Sequence, residues 1–216
     1  MSNGREVRSL TVDRLDDLPD PCRTCLRWEL DPVGAADLRG PAEIRIAKQT
    51  WLSTALLEWG SVGRIVYVDD RPAAYVMYAA PGLVPRATLF PTAPVSGDAV
   101  LMMGARVDEK YAGQGLGRLL VQAMAKDVLR RGIRAVEAFA SRGEQAQARD
   151  GCLVPVEFYT AVGFTTVRDH RRYPRLRLDL RSTLTWREDV EQVVERLLAQ
   201  VRAPVLAPDR SSPGVS

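Results

Sequence analysis

Three glycines at alternate positions, Gly113, Gly115 and Gly117, stand in the stretch Val-Asp-Glu-Lys-Tyr-Ala-Gly-Gln-Gly-Leu-Gly-Arg-Leu-Leu from Val107 to Leu120. Before them Ala99 to Val107 (AVLMMGARV) is a near-continuous apolar run, as in a strand covered on both faces. After them Leu116, Leu119, Leu120, Ala123, Met124 and Val128 recur at helical spacing as far as Gly132. A strand that passes into a helix through such a turn leaves the first helical amides pointing outward with partial positive charge. Without Cβ atoms, the turn lets a ligand approach the backbone closely. This arrangement suits a phosphate or pyrophosphate. Spacing separates it from two other phosphate loops. A dinucleotide fingerprint needs glycine where Arg118 stands, and a P-loop needs Gly-Lys-Ser/Thr at the helix start. A glycine turn that binds nothing is the competing reading.

The rest of the chain supplies strands and helices around this junction. Arg5 to Val12 alternates polar with apolar and predicts a first strand, followed by a Pro/Asp-rich turn at Asp16 to Pro21. Ile44, Ala47, Trp51, Ala55, Leu56 and Trp59 predict an amphipathic helix, with Pro41 in its first turn and Gly60 at its stop. Arg64 to Val68 and Ala73 to Ala79 read as a hairpin across Asp69-Asp70-Arg71-Pro72. The proline-rich stretch Pro81 to Ser96 has the length of a functional loop. Ala135 to Ala140 predicts a strand, Val154 to Val162 a short helix, and Phe164 to Arg168 and Arg175 to Leu180 the last two strands. Trp186 to Val201 predicts one more amphipathic helix, and Pro204 to Ser216 reads as a tail with little to bury.

Composition narrows the function classes. The 216 residues carry 30 Lys+Arg against 27 Asp+Glu, too small a net charge to argue for nucleic acid by itself. No stretch approaches the roughly 20 apolar residues that span a bilayer, and the N-terminus has no apolar signal core, so the expectation is a soluble cytoplasmic protein. Three cysteines are too few for a disulfide scaffold, and one histidine excludes a multi-imidazole site.

Tyr111 to Gly117 (Tyr-Ala-Gly-Gln-Gly-Leu-Gly) resembles the acetyl-CoA pyrophosphate loop of the GCN5-related N-acetyltransferases, Gln/Arg-x-x-Gly-x-Gly/Ala, and Phe158-Tyr-Thr-Ala-Val-Gly-Phe164 resembles their Tyr-x-x-x-Gly-Phe signature. The resemblance implies an α/β fold with a mixed sheet. It divides the chain into an N-acetyltransferase-like domain at 5–181, an added helical extension at 182–203 and a disordered tail at 204–216. It also implies acetyl-CoA as cosubstrate and an unidentified amine as acceptor. The pyrophosphate would lie on the segment Ala112, Gly113, Gln114, Gly115, Leu116 and Gly117, beside Arg118, and the pantetheine along Ala105, Arg106 and Val107. Ala112 departs from the family's Gln/Arg, which implies weaker or differently tuned binding. Tyr159 matches the tyrosine that protonates the departing thiolate in many members.

Transfer from a thioester to an amine needs a neutral amine, a polarised carbonyl and a proton for the thiolate. Candidate bases are Glu137, inside a strand, and Asp98 and Glu109 at strand ends, with base action through water as an equal alternative. Cys22-Arg-Thr-Cys25 has the spacing of a metal knuckle or redox pair. Together with Cys152 and His170 it makes up four candidate ligands for a tetrahedral zinc site, but with only one knuckle present no metal is assigned. Arg168, Arg171, Arg172, Arg175, Arg177 and Arg181 gather near the last hairpin and read as a solvated face, a contact for the CoA 3′-phosphate, or an acidic-partner site. Two other functions fit the same residues. One is a non-catalytic acyl-CoA sensor, favoured if Tyr159 is buried and no carboxylate lines the cleft. The other is an interaction module or homodimer using the added helix.

Overall fold

The computed structural model describes residues 4–143 and 152–180. Seven strands form one sheet: β1 (Arg5–Ser9), β2 (Gly63–Val68), β3 (Arg71–Ala79), β4 (Ala99–Val107), β5 (Ala135–Phe139), β6 (Thr165–Arg168) and β7 (Arg175–Asp179). Their order is β1-β2-β3-β4-β5-β7-β6, with β4 and β5 parallel and every other pair antiparallel. The helices are α1 (Pro32–Ala36), α2 (Pro41–Glu58), α3 (Leu116–Arg130) and α4 (Val156–Ala161). No helix among them is long and apolar enough to cross a membrane. The expected helix at Trp186 to Val201, the expected tail and Arg181 lie outside the described residues.

Period-two alternation divides the strand residues between two cores. Val66, Val76, Val100, Met102, Val136, Ala138, Leu176 and Leu178 face one side and pack with Leu120, Met124 and Val128 of α3 and Tyr159 of α4. Ile65, Tyr75, Met77, Leu101, Met103 and Phe139 face the other, against Leu52 and Ala55 of α2 and the N-terminal turns.

Most elements follow the sequence pattern closely. Pro41 opens α2, and Gly60 ends it at φ +95°. Asp69 and Asp70 both take positive φ, the twist a two-residue hairpin needs. The first strand is shorter than its alternation suggests, because Val12–Asp17 winds into a 3-10 turn that buries Leu15. The proline-rich stretch is not open loop. It folds into two 3-10 turns, Pro81–Leu83 and Pro85–Leu89, and fills the second core with Val84, Ala87 and Phe90. There the Phe90 ring stacks on Phe139 at 4.3 Å and on Trp28 at 5.3 Å.

One buried carboxylate fastens α3 to the sheet. Asp127 of α3 pairs with Arg64 of β2 at 2.6 Å and with Arg131 at 2.5 Å, and accepts a hydrogen bond from the Tyr78 hydroxyl of β3 at 2.8 Å. Arg131 also donates to the carbonyls of Trp59 and Ser61 and lies over the Trp59 ring, which connects the end of α2 to the same point. Replacing Asp127 by alanine strands the buried Arg64 guanidinium, and removing one partner of a buried pair costs about 3–5 kcal/mol. Urea unfolding of Asp127→Ala should show a loss of that size with an unchanged slope; a loss under about 1 kcal/mol would remove the network from this role.

Candidate active site

Parallel pairing of β4 with β5 covers only Ala99↔Ala135, Val100↔Val136 and Leu101↔Glu137. Beyond Leu101, β4 continues to Val107 paired with β3 alone, while β5 ends at Phe139. A register shift against β3, where Met77 opposes Gly104 and Tyr78 opposes Met102, makes Met103 an extra residue and bends β4 at the same level. The two strands therefore part, and the edge of β4 from Gly104 to Val107 borders the opening.

At the top of that edge the chain makes a 3-10 turn, Glu109–Tyr111, whose Lys110 amide donates to Asp108, and then enters the glycine loop. Ala112, Gly113, Gln114 and Gly115 are exposed, and Gly113 and Gly115 take φ +72° and +78°. A Cβ on either would meet nothing within 4 Å, so the space over them is open and the backbone conformation alone calls for glycine. Gly115 is the N-cap of α3, and the first bond within the helix runs from the Leu119 amide to the Gly115 carbonyl. The amides of Leu116 and Gly117 thus project from a helix end that carries partial positive charge. Gly117 is glycine for a different reason: a Cβ there would come within 2.8 Å of the Phe158 ring. That close approach seats α4 on the first turn of α3. Arg118 follows on the exposed side of the same turn.

Tyr159 of α4 lies below Phe158, 1% exposed, with its ring between those of Phe158 and Phe164. Burial pushes its phenol pKa well above the ordinary value, so it stays protonated at neutral pH.

Glu137 does not face the opening as a base would. It is fully buried, and its carboxylate is taken up by Arg175 Nη1, by Arg177 Nη1 at 3.2 Å and by the Ser96 amide at 3.1 Å. A carboxylate saturated by two guanidinium groups holds strands together and has no lone pair directed at a substrate. Asp98 forms a two-point pair with Arg177, at 2.8 and 2.9 Å, and this bond holds its carboxyl below the usual range. Glu109 sits exposed in the 3-10 turn. The clustered arginines accordingly divide their roles: Arg175 and Arg177 are structural cations, and Arg168 donates to the Ala93 carbonyl.

The structure also assembles a cavity that the sequence patterns did not single out. On the α2 face of the sheet, beside the bend in β4, it is lined by Cys22, Cys25, Trp28, Glu29, Lys48, Tyr75, Met77, Met103, Gly104 and Cys152. Glu29 and Lys48 form a buried ion pair on its wall. Lys48 also donates to the Cys25 carbonyl at 2.8 Å, and the Trp28 amide donates to Glu29 at 3.1 Å. Lys48 carried a legible signal, because it stands four residues after Ile44 and four before Leu52 on the buried stripe of α2. Glu29 carried none, since its partner is 19 positions away.

The four zinc-type residues do not converge. All three cysteines reach the cavity, whereas the His170 ring lies parallel to Tyr173 and its Nδ1 accepts from the amides of Arg172 and Tyr173. Among the described residues no group of three or more His, Cys, Asp or Glu could hold a metal ion.

Comparison with known proteins agrees with this arrangement. The chain is similar over 82% of its length to a PaiA N-acetyltransferase from Thermoplasma acidophilum solved in complex with coenzyme A, at 11% identity, 99% coverage of that chain and a TM-score of 0.51. It is similar to an N-acetyltransferase from Staphylococcus aureus Mu50, at 12% identity, 82% and 99% coverage and a TM-score of 0.52. The aminoglycoside acetyltransferase AAC(6′)-Ib, solved in complex with coenzyme A, gives 12% identity, 82% and 95% coverage and a TM-score of 0.51. At these identities the likeness is one of fold. No curated protein matches the chain. The model of the acetyltransferase (GNAT) family matches residues 36–164, more than half of the 216. The glycine loop, the parted strands and this match have one conclusion, that the chain belongs to the acetyltransferase (GNAT) family.

Proposed function

We propose that the protein moves an acetyl group from acetyl-CoA directly to an amine that enters the cavity beside the bend in β4. The observation that carries this reading is the parting of β4 from β5 above Leu101, with an open glycine loop at the far end of the freed edge. In it the pyrophosphate rests on the amides of Gly113 to Gly117 at the start of α3, with Arg118 beside them. The pantetheine runs down Val107, Arg106 and Ala105 as an added edge, its amides bonding to backbone groups that β5 leaves unpaired. This path ends at Gly104, which is also a wall of the cavity, so the thioester arrives where an acceptor can meet it.

The chemistry then needs few groups. The neutral amine attacks the thioester carbon, the carbonyl oxygen becomes an oxyanion, and its collapse expels the CoA thiolate. Glu29 is the carboxylate on the cavity wall, but Lys48 and the Trp28 amide hold its two oxygens, so the amine's proton leaves through water. Tyr159, kept protonated by burial, supplies a proton to the thiolate. Its burial alone would favour a non-catalytic acyl-CoA sensor, but a carboxylate does line the cavity, and the family is one of enzymes. The division into a catalytic unit at 5–181 with a C-terminal extension belongs to the same proposal; the compact unit holding the site ends at Leu180.

Calorimetry with acetyl-CoA should show binding, and CoA-thiol release over a panel of amines should identify the acceptor class; an absence of binding would sink the reading. Asp tolerates positive φ, and the space above Gly115 is open, so Gly115→Asp should fold. Its charge against the pyrophosphate should weaken acetyl-CoA binding by about 100-fold or more, since like-charge contacts cost several kcal/mol. Retained affinity would refute the loop assignment. Tyr159→Phe should lower kcat by about 100-fold while leaving acetyl-CoA affinity unchanged. Unchanged turnover would transfer the proton-donor role to water.

A further inference from the structure

All three cysteines of the chain stand on one cavity, although they come from two distant segments. Cys25 Sγ and Cys152 Sγ are 3.1 Å apart across a sequence separation of 127 residues. Both residues are half-buried, so small solutes that enter the cavity can reach them. Cys22 lines the same cavity and takes no part in this contact. We propose that Cys25 and Cys152 are a thiol–disulfide pair whose reaction partner is a low-molecular-weight disulfide, and that their oxidation fastens the wall of the acceptor cavity.

The surroundings assign the two sulfurs different roles. The two sulfurs share one hydrogen bond, in which either can donate, and it holds the Cys25 thiol well below its ordinary pKa and the Cys152 thiol above its own. Lys48 donates to the Cys25 carbonyl and favours the thiolate, while its own partner Glu29 opposes it. Cys25 is therefore the attacking thiolate. It displaces one thiolate from the small disulfide and becomes a mixed disulfide. Cys152, releasing its proton, then attacks the Cys25 sulfur, the second small thiolate leaves, and the Cys25–Cys152 bond forms. In sum, two protein thiols and one small disulfide become one protein disulfide and two small thiols, so the protein loses two electrons and the small disulfide gains them.

Closing the pair draws the sulfurs about 1 Å nearer. Cys25 belongs to the segment that carries Trp28 and Glu29, and the Cys152 carbonyl lies 3.3 Å from the position of a Cβ on Gly104. The bond thus ties the outer wall of the cavity to the bend in β4. The consequence for transfer rests on the acetyl-CoA reading above; the bond itself does not.

The test treats the whole protein with oxidised glutathione. Titratable thiols should fall from three to one, and non-reducing peptide mapping should find the Cys25–Cys152 cross-link. Dithiothreitol should restore all three thiols. Cys22→Ser should keep the cross-link, and Cys25→Ser should lose it. Survival of all three thiols, a stable glutathione adduct without a cross-link, or a Cys22–Cys25 bond would overturn the pairing. With whichever amine the panel identifies, turnover should fall on oxidation by up to about 100-fold, the scale of a 1 Å misplacement, and recover on reduction. A cross-linked protein with undiminished turnover would overturn the claim about the cavity wall. Calorimetry with acetyl-CoA in both redox states separates the readings: a cross-link that forms in a protein unable to bind acetyl-CoA leaves the pair standing and removes the transferase site.

Discussion

Glu137 is the constraint around which the parted sheet is built. Its carboxylate is fully buried, opposite Leu101 at the last parallel pair of β4 and β5, and is satisfied by Arg175 and Arg177 of β7 and the Ser96 amide. A charge so far from water is stable only with its partners in place. It therefore fixes three things together: the β5–β7 register, the end of the proline-rich segment and the level at which β4 is free to turn away. Arg177 extends the same knot to Asp98 at the start of β4. The opening between β4 and β5 is thus bounded below by an ion-pair cluster that resists spreading.

Above that level the two cores impose different demands. On the α3 face, Asp127 and the seat of Phe158 on Gly117 hold the glycine loop at a set height over the sheet. Gly115 and Gly117, two residues apart, are glycines for unrelated reasons, one for a left-handed backbone and one for a close helix approach. On the α2 face the packing is aromatic, with the rings of Trp28, Phe90 and Phe139 clustered nearly parallel to one another. The cavity opens on this face, where a buried Lys48–Glu29 pair and three thiols interrupt the apolar wall. The glycine loop and the side chains of the cavity thus come from opposite faces of the sheet.

Signals that act within a few residues were legible before any fold was known. The α2 stripe, the Asp69-Asp70 hairpin turn and the strand–loop–helix at Val107 to Leu120 all depend on local backbone preference and short-period burial. Misreadings arose where a residue's role depends on a distant partner. Glu137 looked like a base because its arginines lie some 40 positions away. Pro81 to Ser96 read as a functional loop, because nothing local shows that Phe90 will stack on Phe139. Cys22-x-x-Cys25 has the spacing of a metal knuckle or redox pair, whereas the fold brings Cys25 to Cys152, 127 positions away.

By itself the sequence determined the order and kind of the seven strands and of α2, α3 and α4, and the position of the phosphate-type loop, because propensity, period and glycine chemistry are properties of neighbouring residues. Only the tertiary structure decided where β4 leaves β5, which carboxylate lines the cavity and which is locked in the core, and that the cysteines share one wall. Those outcomes follow from contacts between residues far apart in the chain, and a buried charge or thiol acquires its role from the partner that the fold brings to it.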